Sequence, residues 1–121
     1  MEAKPPVALG KRGLAFWQKV HEDLVLEEHE NNLLVEACRT IDLIDALRAA
    51  IAKSGPVDAD GKVMPAVVEA RLQSVTLARL VASLRLPDDF SASFLDRGQR
   101  RGAARGTYMA KAKLVEMTKH A

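Results

Sequence analysis

Residues 26–53 read LEEHENNLLVEACRTIDLIDALRAAIAK, and this stretch decides the fold. Leu34, Cys38, Ile41, Ile44, Leu47, Arg48 and Ile51 recur at three- and four-residue steps, which lays one mainly apolar stripe along a helix. Glu27, Glu28 and Glu30 crowd its start, where unpaired backbone N–H groups favour negative charge. Arg48 and Lys53 sit near its end, where cations are favoured. Asp42 and Asp45 fall between apolar positions and are expected to be solvated. Gly55-Pro56 then stops the helix, because glycine tolerates the left-handed turn and proline cannot continue the ladder.

On either side of this helix the chain remains helical. Residues 9–23 predict a shorter basic helix, with Leu14, Trp17, Val20 and Leu24 on one side and Lys11, Arg12 and Lys19 on the other. Gly13 weakens it by roughly 1 kcal/mol relative to alanine, which suggests a late start. Residues 24–26 read as a tight connection. Downstream, Pro65 suits a first helical turn and Pro87 a stop, which bounds a third helix at residues 65–86. Between the long helices, Asp60-Gly61 is a two-residue turn signal flanked by Val57 and Val63. A small hairpin and an irregular loop fit it equally well.

The third helix carries two apolar lines. One runs through Val68, Leu72, Val75 and Ala82, the other through Leu77, Leu80, Val81 and Leu84. A single antiparallel neighbour covers only one of them. The second line needs the Trp17 helix or another subunit, and Leu77, Leu80, Val81 and Leu84 are assigned here to an oligomer interface.

The fold expected is therefore all-α: a short helix and two long antiparallel helices joined by a small hairpin or loop. A flexible arm (residues 1–8) precedes the helical domain (9–87), and a basic tail (88–121) follows it. At 121 residues the chain is one domain with tails. A single cysteine, Cys38, excludes an intramolecular disulfide framework, and its place on the apolar stripe predicts core packing. No apolar run reaches the ~18 residues that span a bilayer, so no membrane partner is expected.

Charge is distributed unevenly. Residues 1–25 hold four basic against three acidic residues, residues 26–87 seven against nine, and residues 88–121 seven against four. Positive charge at both ends around a negative middle fits a polyanionic partner. In the tail, Arg97, Arg100, Arg101 and Arg105 cluster in a Gly- and Ser-rich segment that is expected to be disordered alone. It is either a solvated tail or a phosphate-binding one. A final short helix is expected over residues 108–120.

Catalytic chemistry finds little footing. His21, His29 and His120 are scattered and read as surface histidines. Asp58 and Asp60 lack the glutamate of a calcium loop, and no phosphate-cradling glycine motif is present. No enzyme activity, metal or cofactor is expected.

Three segments taken in order resemble the phage terminase small subunit family. LGKRGLAFWQKV (residues 9–20) offers Gly10, Gly13 and Trp17 at the spacing Gly-x-x-Gly-x-x-x-Trp. LEEHENNLLVEACRTID (26–42) offers Leu26, the Glu28-His29-Glu30 step and the Glu36–Arg39 run. EARLQSVTLARLVASLRLP follows within residues 65–87. Met64 before Pro65 departs from the pattern, where a polar residue or histidine is expected. The resemblance spans residues 9–87 and implies a non-catalytic subunit that forms a homo-oligomeric ring. Such a subunit binds double-stranded viral DNA at the packaging site and presents it to a large terminase subunit holding the ATPase and nuclease. It also implies the cytoplasm of an infected bacterial host.

On charge alone, Lys11, Arg12 and Lys19, with Arg97, Arg100, Arg101 and Arg105, are the DNA-binding candidates. A groove-reading role for the second helix is disfavoured, because its acidic start would repel phosphate. The alternatives are a helical adaptor that binds only protein and a transcriptional regulator that uses the first two helices.

Overall fold

The computed structural model describes residues 4–87 and 109–110. Helix α1 spans Lys11–Asp23, strand β1 Leu24–Val25, helix α2 Glu28–Ser54, helix α3 Pro65–Leu84 and strand β2 Met109–Ala110. The protein is all-α in class: α2 and α3 form a long antiparallel hairpin, and α1 packs across the first part of α2.

Helix α2 starts on a complete capping box. Glu27 is the N-cap, its side chain accepts from the Glu30 backbone N–H, and the Glu30 carboxylate accepts the Glu27 N–H at 2.7 Å. Two otherwise unpaired donors are satisfied reciprocally, which explains the acidic start better than the helix dipole alone. At the other end Gly55 takes a positive φ of 86° and donates its N–H to the Ile51 carbonyl at 2.7 Å.

The connection that follows is a miniature hairpin tip. Val57 and Val63 form an antiparallel bridge, and Gly61 has a φ of 80°. The Asp58 carboxylate accepts the backbone N–H groups of Asp60 and Lys62, both at 2.9 Å. Pro65 opens α3 as expected. The helix closes earlier than its apolar pattern suggested, because Arg85 adopts the left-handed conformation with φ 53°. Leu86 then folds back into the core, the apolar contact that commonly follows such a cap.

The core lies where all three helices meet. Phe16, Trp17, Val20 and Leu24 pack against Leu34, Ala37, Cys38, Ile41 and Ile44 of α2 and against Leu77, Val81, Leu84 and Leu86. This placement corrects the oligomer assignment. Leu77, Val81 and Leu84 are buried within their own chain, and Leu80 is half-buried against the same cluster. The line is buried in the same core cluster as the apolar side chains of α1 and α2. It is the other line, Val68, Leu72 and Val75, that faces outward, at 39%, 50% and 48% exposure.

Residues 24–26 hold a strand instead of a simple turn. Leu24 pairs with Ala110 and Val25 with Met109 in an antiparallel two-stranded sheet. Met109–Ala110 is therefore extended where a helix over residues 108–120 was expected. The rest of that helix, and the rest of the tail expected to be disordered alone, lie outside the described residues.

Candidate nucleic-acid interface

The joint between α1 and α2 is built from a carboxylate and two glycines. Gly10 caps α1 and has no side chain to offer; Asp42, far along in sequence on α2, performs the capping instead. Its Oδ1 accepts the Gly13 N–H at 2.8 Å and its Oδ2 the Gly10 N–H at 2.6 Å. A charged acceptor at the positive end of α1 satisfies two donors that helix geometry leaves open. Asp42 was expected to be solvated; it is half-buried and holds two helices together.

Gly13 makes this approach possible. A Cβ at that position would fall 2.6 Å from the Cys38 carbonyl oxygen and 2.7 Å from Asp42 Cγ, with Asp42 Oδ2 closer still. Only glycine lets the α1 backbone come this near. Gly13 thus sits within α1 and does not mark a late start. Beside it the Arg12 guanidinium pairs with Asp45 Oδ1 at 2.5 Å, so the second acid expected to be solvated also bridges the two helices.

With Gly13, Phe16, Trp17 and Val20 buried, α1 turns its opposite face outward. Lys11, Arg12, Ala15, Gln18, Lys19 and Glu22 are exposed on that face. Lys11 and Lys19 stand about 12 Å apart along the helix axis at 1.5 Å per residue. The structure brings Lys11, Arg12 and Lys19 to one surface, but Asp45 neutralises much of the Arg12 charge. Arg97, Arg100, Arg101 and Arg105 lie outside the described residues.

Two further titratable groups, His21 and Cys38, take structural parts. His21 is half-buried: its ring lies 4.1 Å from that of Trp17, and its Nε2 is 2.7 Å from Asn31 Oδ1. Cys38 is fully buried. Burial first, and then the neighbouring Asp42 charge, push its thiol up to about 12, against a smaller opposing pull from the Trp17 backbone. At neutral pH it is a protonated, unreactive core side chain. No group of three or more His, Cys, Asp or Glu among the described residues is arranged to hold a metal ion. No helix among them is long and apolar enough to cross a membrane.

Reading from sequence missed two residues. Phe16 is among the most deeply buried side chains, yet it sits beside Trp17, where helical spacing favours only one of two neighbours. Asp42 gave no local signal, because its partners lie 29 and 32 residues away. Neither a protein-family model, nor a curated protein, nor a solved structure matches this chain.

Proposed function

We propose that this chain is a non-catalytic small terminase subunit that binds double-stranded viral DNA at the packaging site and regulates a large terminase subunit during genome packaging. The observation that carries this reading is the α1–α2 joint. Gly10, Gly13 and Trp17, the residues of the family-like entry motif, are the ones that cap, admit and bury α1. In doing so they set Lys11 and Lys19 on one outward face. Each such pair binds phosphate only weakly. A homo-oligomeric ring multiplies weak binding into useful avidity, and the tail arginines would add to it.

The test is a salt titration of the full chain on packaging-site and random duplexes. Lys11→Ala with Lys19→Ala should weaken binding to both duplexes. It should also lower the log–log salt slope by about 0.9 for each phosphate that is no longer neutralised. An unchanged slope would remove α1 from the interface. A wild-type chain that ignores DNA at low salt would remove the reading itself. A protein-only adaptor then becomes the better account, and the outward line Val68, Leu72 and Val75 is the observation in its favour.

A further inference from the structure

Helix α3 presents an outward face that its own chain leaves uncovered among the described residues. Val68, Leu72 and Val75 recur there at four- and three-residue steps, each well exposed, and Arg71 and Arg79 stand beside them. Between the arginines a shallow groove of about 500 Å³ is lined by Ser74, Val75, Ala78 and Ala82 as well as Arg71 and Arg79. The small side chains on its floor permit close approach of a second backbone. The only acid on α3, Glu69, lies on the flank and accepts a hydrogen bond from Gln73 at 2.8 Å. The face is therefore an apolar line with Arg71 beside it and Arg79 continuing it beyond Val75.

We propose that this face is a docking groove for an acidic amphipathic helix of a different protein. Apolar side chains at i, i+3/i+4 and i+7 would cover Val68, Leu72 and Val75. Carboxylates about two turns apart would meet Arg71 and Arg79, which are spaced by about 12 Å. A second copy of the same face is a poor occupant. Parallel packing in register sets each arginine against its own copy, and antiparallel packing about Val75 sets Arg71 against Arg79; like charges so placed are repulsive. Nor does another described helix of this chain match. The exposed face of α1 carries no large apolar side chain, and that of α2 carries only Leu43. The groove thus goes beyond DNA binding: it would let a partner enzyme dock on α3 while α1 holds phosphate.

The experiment uses the full chain and two synthetic helical peptides of about five turns. Both carry leucine at i, i+4 and i+7; one carries glutamates flanking that stripe, and the other carries lysines at the same positions. Fluorescence anisotropy should show the glutamate peptide binding at least about tenfold more tightly than the lysine peptide. Arg71→Glu with Arg79→Glu should reverse that order, and Val75→Glu should abolish binding of both. Thermal melts check that each variant is folded, and duplex binding is measured alongside. No peptide preference in the native protein would overturn the groove, as would a preference that survives the double charge reversal. Loss of oligomeric mass by light scattering in Val75→Glu would assign the face to a second copy, also against the proposal. Unchanged duplex binding in the arginine variant would keep failure of the groove separate from failure of the DNA reading.

Discussion

The two ends of the α2–α3 hairpin differ in what holds them. Toward the start of α2 the hairpin has a third partner: α1 covers it, and every buried residue of α2 lies between Leu34 and Ile44. From Asp45 to Ser54 no α2 residue is buried, and α3 contributes only Ala70 there. At that end two helices share one half-buried seam, closed by the Asp58 turn and the Val57–Val63 bridge. One end is a dry three-helix core with a charged joint beside it; the other is a two-helix arm set by turn chemistry. Substitutions should cost far more at the core end. Among the described residues, apolar surface left uncovered, including the Val68–Leu72–Val75 face, accumulates toward the arm.

The largest effect should come from the core end of α3. Leu84 is 2% exposed and belongs to the core cluster to which all three helices contribute. Leu84→Ala should lower unfolding free energy by about 2–5 kcal/mol, read from urea denaturation. A loss below about 1 kcal/mol, or a change in oligomeric mass without loss of stability, would return Leu84 to an intersubunit role.

Gly13→Ala should come next. Alanine raises helix propensity by roughly 1 kcal/mol, so an unconstrained α1 would gain from the change. Here the new Cβ would collide with the Cys38 carbonyl, which cannot swing aside as a side chain can. Overpacking of this kind typically costs about 1–3 kcal/mol, so the sign should be destabilising. A stabilised variant would mean that α1 and α2 are further apart than described.

The polar half of the joint is tested by Asp42→Ala, which leaves the Gly10 and Gly13 N–H groups without their acceptor. The loss expected is about 0.5–2 kcal/mol, that of a helix N-cap. The same change removes one of the influences that raise the Cys38 thiol, though burial remains the larger one. Iodoacetamide should therefore modify native Cys38 only slowly, somewhat faster in Asp42→Ala and fast in urea. The folded thiol titrates near 12 against 9.0 for the ordinary group, so its contribution to stability is complete below pH 9 and is lost as pH rises toward 12. Rapid alkylation of the native protein at neutral pH would contradict the burial.

These elements also mark how far the sequence could be read. Both long helices, the Gly55 stop, the Pro65 start and the Asp60-Gly61 turn follow from local rules, because their causes lie within a few residues of their effects. The two apolar lines on α3 were visible as well. Periodicity cannot say which line turns inward, since that depends on where α1 lies. The joint was illegible for the same reason: Asp42 looks like a surface acid until folding brings Gly10 and Gly13 to it. The pairing of Leu24 with Ala110 joins segments too distant for any local pattern to link. Of the candidate interface, Lys11, Arg12 and Lys19 were chosen by charge, and the pairing of Arg12 with Asp45 is tertiary.

The smallest stability effect should belong to Val75→Glu, and its smallness is what makes it informative. Val75 is 48% exposed and lies on the side of α3 opposite Leu77, Val81 and Leu84. Replacing it adds a solvated carboxylate and removes little buried apolar area, so stability should stay within about 0.5 kcal/mol of the native protein. Glutamate is also a better helix former than valine, which offsets part of any loss. Leu84→Ala and Val75→Glu lie on one helix, yet their unfolding free energies should differ severalfold. If Val75→Glu destabilises the chain as much as Leu84→Ala does, the outward line is covered in the free protein. The α3 groove would then already be filled, and the contrast between core and arm would shrink to the tip around Val57 and Val63.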